Sequence, residues 1–117
     1  MEIKGIKRTF SLIGEEQYNT IGVFWDEMES PFGLENLLGV GYNWQEGSMD
    51  YLIALSDGVI DGFNETLILP DDGWISRKGR TESLKALYDE IYKDGRLSYE
   101  IERFYENGEC LISFIRA

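Results

Sequence analysis

The stretch SYEIERFYE, residues 98–106, sets three glutamates among large apolar side chains. On an extended strand Glu100, Glu102, Phe104 and Glu106 share one face, and Tyr99, Ile101, Arg103 and Tyr105 the other. The two faces are about equally polar, so parity alone leaves open which one is buried. The bland arrangement is an exposed strand whose glutamates lie near Arg103 or Arg116. The other is a carboxylate inside the protein, where an unpaired charge is costly or shifts its pKa. A chain that keeps such a group has a use for it, as a general base or as the counter-charge of a cation.

The remaining chemistry is narrow. The sequence has no histidine, which removes the commonest general base, every Ser-His or Cys-His nucleophile and most zinc sites. Carboxylates, tyrosines, lysines and water are left, and no metal or cofactor is expected. The single cysteine, Cys110, cannot form an internal disulfide, so a reducing compartment is the simplest setting. The opening MEIKGIKRTF lacks a signal-type apolar run, and no stretch approaches the ~20 apolar residues of a membrane span. A cytoplasmic protein without a membrane partner is expected. Acidic residues number 22 against 11 basic, a formal charge of -11. That balance argues against direct nucleic-acid binding, which needs clustered Lys and Arg. It suits a cationic ligand or a basic partner surface, and equally a charge that only maintains solubility.

The elements that must position these groups can be read along the 117 residues, which make one domain with one core. RTFSLI, residues 8–13, is a short strand after a flexible basic opening. Tyr18, Ile21, Trp25 and Met28 recur at helical spacing in residues 14–30, and SPFG ends that helix. LLGVGYNW alternates, with Leu38, Val40, Tyr42 and Trp44 on one face and Gly39, Gly41 and Asn43 on the other. It pairs with MDYLIALS as a hairpin whose second strand is buried on both sides. After a Gly/Asp-rich loop, NETLILPDDGWISRKG is a strand interrupted by a turn at Pro70–Gly73 and resuming at Trp74. A second helix follows with Thr81 as N-cap and a stripe of Leu84, Leu87, Tyr88, Ile91 and Tyr92. The last two strands meet at Asn107-Gly108.

The order is β-α-β-β twice, over residues of about 1–58 and 59–117. Duplicated β-α-β-β units predict an α+β fold: an antiparallel sheet, two helices on one face and a ligand cleft between the halves.

The ordered set FWDEM, LLGVGYN, MDYLIAL, LPDDGWISRKG, SLKALYDEIYKD and YEIERFY resembles the gyrase-inhibitor-like (GyrI-like) family of small-molecule-binding domains. That fold also forms the effector-binding domains of AraC- and MerR-type bacterial transcription activators. The resemblance covers nearly the whole chain and rests on the order of several degenerate motifs. It implies an aromatic-lined cavity between two pseudo-symmetric halves. The family's Glu-x-aromatic pattern falls on Glu102 and Phe104, with Val40 and Tyr42 at the related positions of the first half. The chain departs from the family in KDGRLS after the second helix and in Phe104 where a tyrosine is usual. With no DNA-binding segment attached, a stand-alone module is expected, and Glu100 and Glu106 are expected at the rim or in solvent.

Related effector domains bind bulky lipophilic cations, and an aromatic box has the physics for this. Each ring face attracts a delocalised cation by ~0.5 to 2 kcal/mol, and a carboxylate adds charge complementarity. Candidate box members are Trp25, Tyr42, Trp44, Phe104 and Trp74, with Val40 and the charge of Glu102; each aromatic could equally be core. Two other classes stand beside this. Some family members are hydrolases that open strained cyclopropane rings, where Glu102 would be general base and Tyr42 or Tyr51 the donor. An acidic inhibitor binding a basic protein is the third, and a homodimer is left open.

Overall fold

A computed structural model describes residues 1–117. Its elements are β1 (Glu2–Ser11), α1 (Gln17–Phe32), β2 (Leu37–Gln45), β3 (Ser48–Leu55), β4 (Glu65–Ile68), β5 (Ile75–Arg80), α2 (Leu84–Tyr92), β6 (Leu97–Phe104) and β7 (Glu109–Arg116). Seven strands form one antiparallel sheet in the order β4-β1-β3-β2-β6-β7-β5. The fold is α+β, with β2 and β6 side by side at its centre. On one side β1 and β2 flank β3; on the other β5 and β6 flank β7. Each helix links a flanking strand to a central one.

Both helices lie on the same face. Phe24, Trp25 and Met28 of α1 pack with Met49, Tyr51 and Ile53 of β3. Tyr88 and Ile91 of α2 pack with Ile112 and Phe114 of β7. Alternation along the strands sends Leu38, Val40, Leu52, Ala54 and Ile101 to the opposite face, where Leu69 and Trp74 join them. The core is therefore split by the sheet, and β3 is buried on both sides.

β4 and β5 follow each other in sequence yet occupy opposite edges. Six interstrand spacings of ~4.8 Å would put the edges of a flat sheet ~29 Å apart. The seven steps from Ile68 to Ile75 reach only ~25 Å. The sheet therefore curves, and the linking chain crosses its helix-free face, where Leu69 and Trp74 cover it.

Several local expectations change. β1 begins at Glu2, not at residue 8, because Ile3 and Gly5 already pair with β4 and pack inward. Residues 64–79 are not one interrupted strand but two strands at opposite edges. Helix α1 runs through Pro31 to Phe32 and ends at Gly33, at φ 84°; Pro31 is tolerated in the last turn. Thr81 makes no side-chain cap; residues 81–83 form a 3-10 turn ahead of α2. The alternation of β2 also breaks at Asn43, which has φ 53° and sits where the β2–β3 register shifts. The bulge parts Trp44 from Leu38, Val40 and Tyr42 and places it with the helix-side clusters.

Candidate functional site

Between α1 and α2 lies an open cleft of about 1950 Å³. Its walls come from one side of α1 between Gln17 and Glu29 and one side of α2, its floor from β2 and β6, and Trp44 and Phe104 border it. It exceeds the ~300–1,000 Å³ of ordinary small-ligand pockets, so it can take a bulky ligand or several orientations of a smaller one.

The floor exists because of two glycines. Gly39 pairs with Glu102 and Gly41 with Glu100 across the β2–β6 ladder. A Cβ on Gly39 would fall on the Tyr51 hydroxyl and come within 2.8 Å of the Trp25 ring. A Cβ on Gly41 would lie 2.7 Å from Oε1 of Glu100. The bare backbone of β2 thus leaves room for two carboxylates and a phenol directly over the central strand pair.

Glu102 is the hub. The Tyr51 hydroxyl on β3 donates to its Oε1 in a short hydrogen bond, and Tyr88 on α2 donates to its Oε2 at 2.7 Å. Trp25 Nε1 on α1 donates to the Tyr51 oxygen at 2.8 Å. The Trp25 ring meets Phe104 edge-on, with centroids 4.9 Å apart. One chain of hydrogen bonds, α1 to β3 to β6 to α2, therefore ties both halves through one carboxylate. Glu100 stands beside it: Tyr92 donates to its Oε2 at 3.0 Å, and the Tyr92 ring stacks on Tyr88 at 5.4 Å.

Both glutamates are at least 95% buried, with exposures of 4% for Glu100 and 5% for Glu102. No Lys or Arg is paired with either; the ion pairs of the chain all involve other, more exposed groups. Burial pushes both carboxyls above the usual carboxylate range, and for Glu100 the negative charge of Glu102 adds to it. Burial likewise raises the Tyr51, Tyr88 and Tyr92 phenols, with the glutamate charges adding, so these remain protonated donors. Six acidic residues line the cleft against one basic residue, Arg96. Ionising the two carboxylates is costly, and a cation in the cleft lowers that cost.

The expected residues divide. Glu102, Phe104, Trp25 and Trp44 are brought together on the cleft side. Val40 and Trp74 lie in the opposite-face cluster; Val40 is fully buried there, and Trp74 Nε1 donates to the Pro70 carbonyl. Tyr42 borders the cleft, but its side chain belongs to the opposite-face cluster, with its hydroxyl buried and unpaired. Strand parity decides Val40 and Tyr42, and the crossing of the helix-free face by the β4–β5 link decides Trp74. Glu100 is not at the rim as expected, while Glu106 is exposed. The residues that sequence reasoning passed over are Glu100, Tyr88 and Tyr92. The available signals were the 100/102 spacing opposite the 39/41 glycine spacing, and two tyrosines four apart on one helix face.

These features define a two-helix, antiparallel α+β domain with a carboxylate-floored aromatic cleft. The sequence matches no family model and no curated protein. Among solved structures, the fold is similar to that of SAV2435 bound to tetraphenylphosphonium, with a TM-score of 0.71, 16% identity, and coverage of 97% of this chain and 87% of that one. It is also similar to a candidate bacterial transcription regulation protein from Staphylococcus aureus MU50, with a TM-score of 0.68, 16% identity, and coverage of 100% and 93%. At that identity the likeness is one of fold.

Proposed function

We propose that residues 1–117 form a single GyrI-like effector-binding domain of two repeats, about 1–58 and 59–117, which binds lipophilic or planar organic cations. The observation that carries this is the pair of buried carboxylates, Glu100 and Glu102, with no cationic side chain against them at the bottom of an aromatic cleft. In such a site a delocalised cation gains ring-face attraction from Trp25, Trp44 and Phe104 and charge complementarity from Glu102. The cleft's width favours loose shape selection and hence several ligands. SAV2435, which shares the fold, holds tetraphenylphosphonium, a lipophilic cation of this class. The buried free thiol of Cys110 suits a cytoplasmic setting.

A hydrolytic role asks Glu102 to take a proton from water. Both of its oxygens already accept tyrosine hydroxyls; of the two candidate donors, Tyr51 has its proton committed to Glu102 itself, and the side chain of Tyr42 belongs to the cluster on the other face of the sheet. This arrangement favours holding a charge over general-base catalysis.

The test uses two ions of the same shape and opposite charge. Tetraphenylphosphonium should quench the tryptophan fluorescence at micromolar concentration, and tetraphenylborate should not. Glu102→Gln should weaken the phosphonium about ten-fold or more, since a buried charge contact is lost. Equal response to both ions, or an unchanged affinity in the variant, would sink the proposal.

A further inference from the structure

The two buried carboxylates are not equivalent. Glu102 accepts one tyrosine hydroxyl on each oxygen, so both of its oxygens are already engaged by the protein. Glu100 accepts from Tyr92 at Oε2, with the Tyr88 hydroxyl that serves Glu102 also close to it. Oε1 is the oxygen that lies over Gly41, in the space that a side chain there would take. Glu100 is itself a cleft-lining residue, and Tyr92, which positions it, is 38% exposed at the mouth of the cleft. Glu100 and Glu102 are two residues apart on one face of β6, so their Cα atoms are separated by ~7 Å.

We infer that the cleft holds two anionic subsites and that its preferred ligand class is the aromatic dication: a planar cation over Trp25 and Phe104 at Glu102, carrying a second positive group that reaches Glu100. This rests on the cation-binding proposal and goes further, since one carboxylate would suffice for a monocation. The other acidic groups around the cleft, Asp26, Glu29, Glu46 and Glu106, are exposed to solvent and contribute a screened, unspecific attraction. Glu100 is buried among Tyr88, Tyr92 and Gly41, and its charge is worth more to a ligand that reaches it.

Ethidium and propidium supply a matched pair, since they share one planar cationic ring system and propidium adds a quaternary ammonium arm. At about 0.15 M salt, where charges beyond ~8 Å are screened, the wild type should bind propidium at least ten-fold tighter than ethidium. E100Q should cost propidium at least ten-fold more than it costs ethidium, so that the preference for propidium disappears; E102Q should weaken both dyes by a similar factor. Tyr92→Phe, a change at a partly exposed position that leaves Glu100 unpositioned, should also reduce the propidium preference, and it keeps the test decisive should E100Q misfold by circular dichroism. Equal binding of the two dyes by the wild type, or a preference that survives E100Q or Tyr92→Phe, overturns the dication class while leaving cation binding intact. Binding of neither dye overturns both.

Discussion

Gly39 on β2 stands directly across the ladder from Glu102 on β6, and the space its missing side chain leaves is filled by the hydroxyl of Tyr51. The glycine's φ is negative and ordinary, so its role is volume, not backbone freedom. Gly39→Ala should therefore act by overpacking: it must displace the Tyr51 hydroxyl or the Trp25 ring, both buried and hydrogen-bonded. A loss of about 1–3 kcal/mol in urea unfolding is expected, together with loss of cation-induced quenching. Gly41→Ala meets the end of Glu100 and the Met49 terminus, which can move, so its stability cost should be the smaller. Equal costs at both positions would show that the Tyr51–Glu102 contact is not the tight point of the floor.

Tyr51 both donates to Glu102 and accepts from Trp25. Tyr51→Phe keeps the ring packed between Phe10 and Phe24 but orphans the buried Trp25 N–H and one oxygen of Glu102. Each orphaned group costs ~1–3 kcal/mol, so the urea midpoint should fall with an unchanged slope. The affinity for a lipophilic cation should change less than in Glu102→Gln, because the charge remains. A variant as stable as the wild type would mean that the hydrogen-bond chain from α1 to β6 contributes nothing to the fold.

Much of this architecture is legible in the sequence. The helical stripes, the two hairpins and the antiparallel α+β plan follow from hydrophobic period and turn chemistry, which are local. The misplaced residues depend on non-local facts. Whether Glu100 and Glu102 face the core was undecidable from a strand whose faces are equally polar; it is settled by the glycines of a strand some 60 residues away in sequence, through the register Gly39–Glu102 and Gly41–Glu100. The sequence suggests Trp74 for the cleft because nothing local shows that residues 69–74 cross the far face of a curved sheet. Strict alternation puts Val40 and Tyr42 on one face with Trp44 and hides the bulge at Asn43.

The pH dependence of stability follows from the same pair. Burial holds both carboxyls above their usual range, so between that range and their folded pKa values the native state keeps protons that the unfolded chain has released. Their contribution to stability is thus complete at low pH and lost as pH rises through the folded values. Asp50 works the other way. Against the upward push of burial, hydrogen bonds from Asn43 and Thr9 hold it below its ordinary value, so its contribution is lost only as pH falls below about 4. Urea midpoints of the ligand-free wild type should decline from pH 5.5 to 8.5, and E100Q should be flatter and more stable at the alkaline end. Parallel curves for the two proteins would show that Glu100 carries no part of the dependence.

Asn43 offers a test of how the cleft acquires one of its aromatic walls. At φ 53° it holds a left-handed conformation that glycine and asparagine adopt readily and β-branched residues do not. Its side chain fixes the bulge by donating to Asp50 at 2.8 Å and accepting from Gln45 at 2.9 Å. Asn43→Gly keeps the conformation and loses the side-chain bonds; a cost of ~1 kcal/mol and a near-normal cation affinity are expected. Asn43→Val opposes the conformation itself, at ~1–2 kcal/mol for the backbone alone, and draws the strand toward regular alternation, which would swing Trp44 out of the cleft. Acrylamide should then quench Trp44 more readily in the valine variant, and cation affinity should fall, as it should in Trp44→Ala. If the valine variant binds cations as the wild type does, Trp44 is a packing residue between the two helices and not a wall of the site.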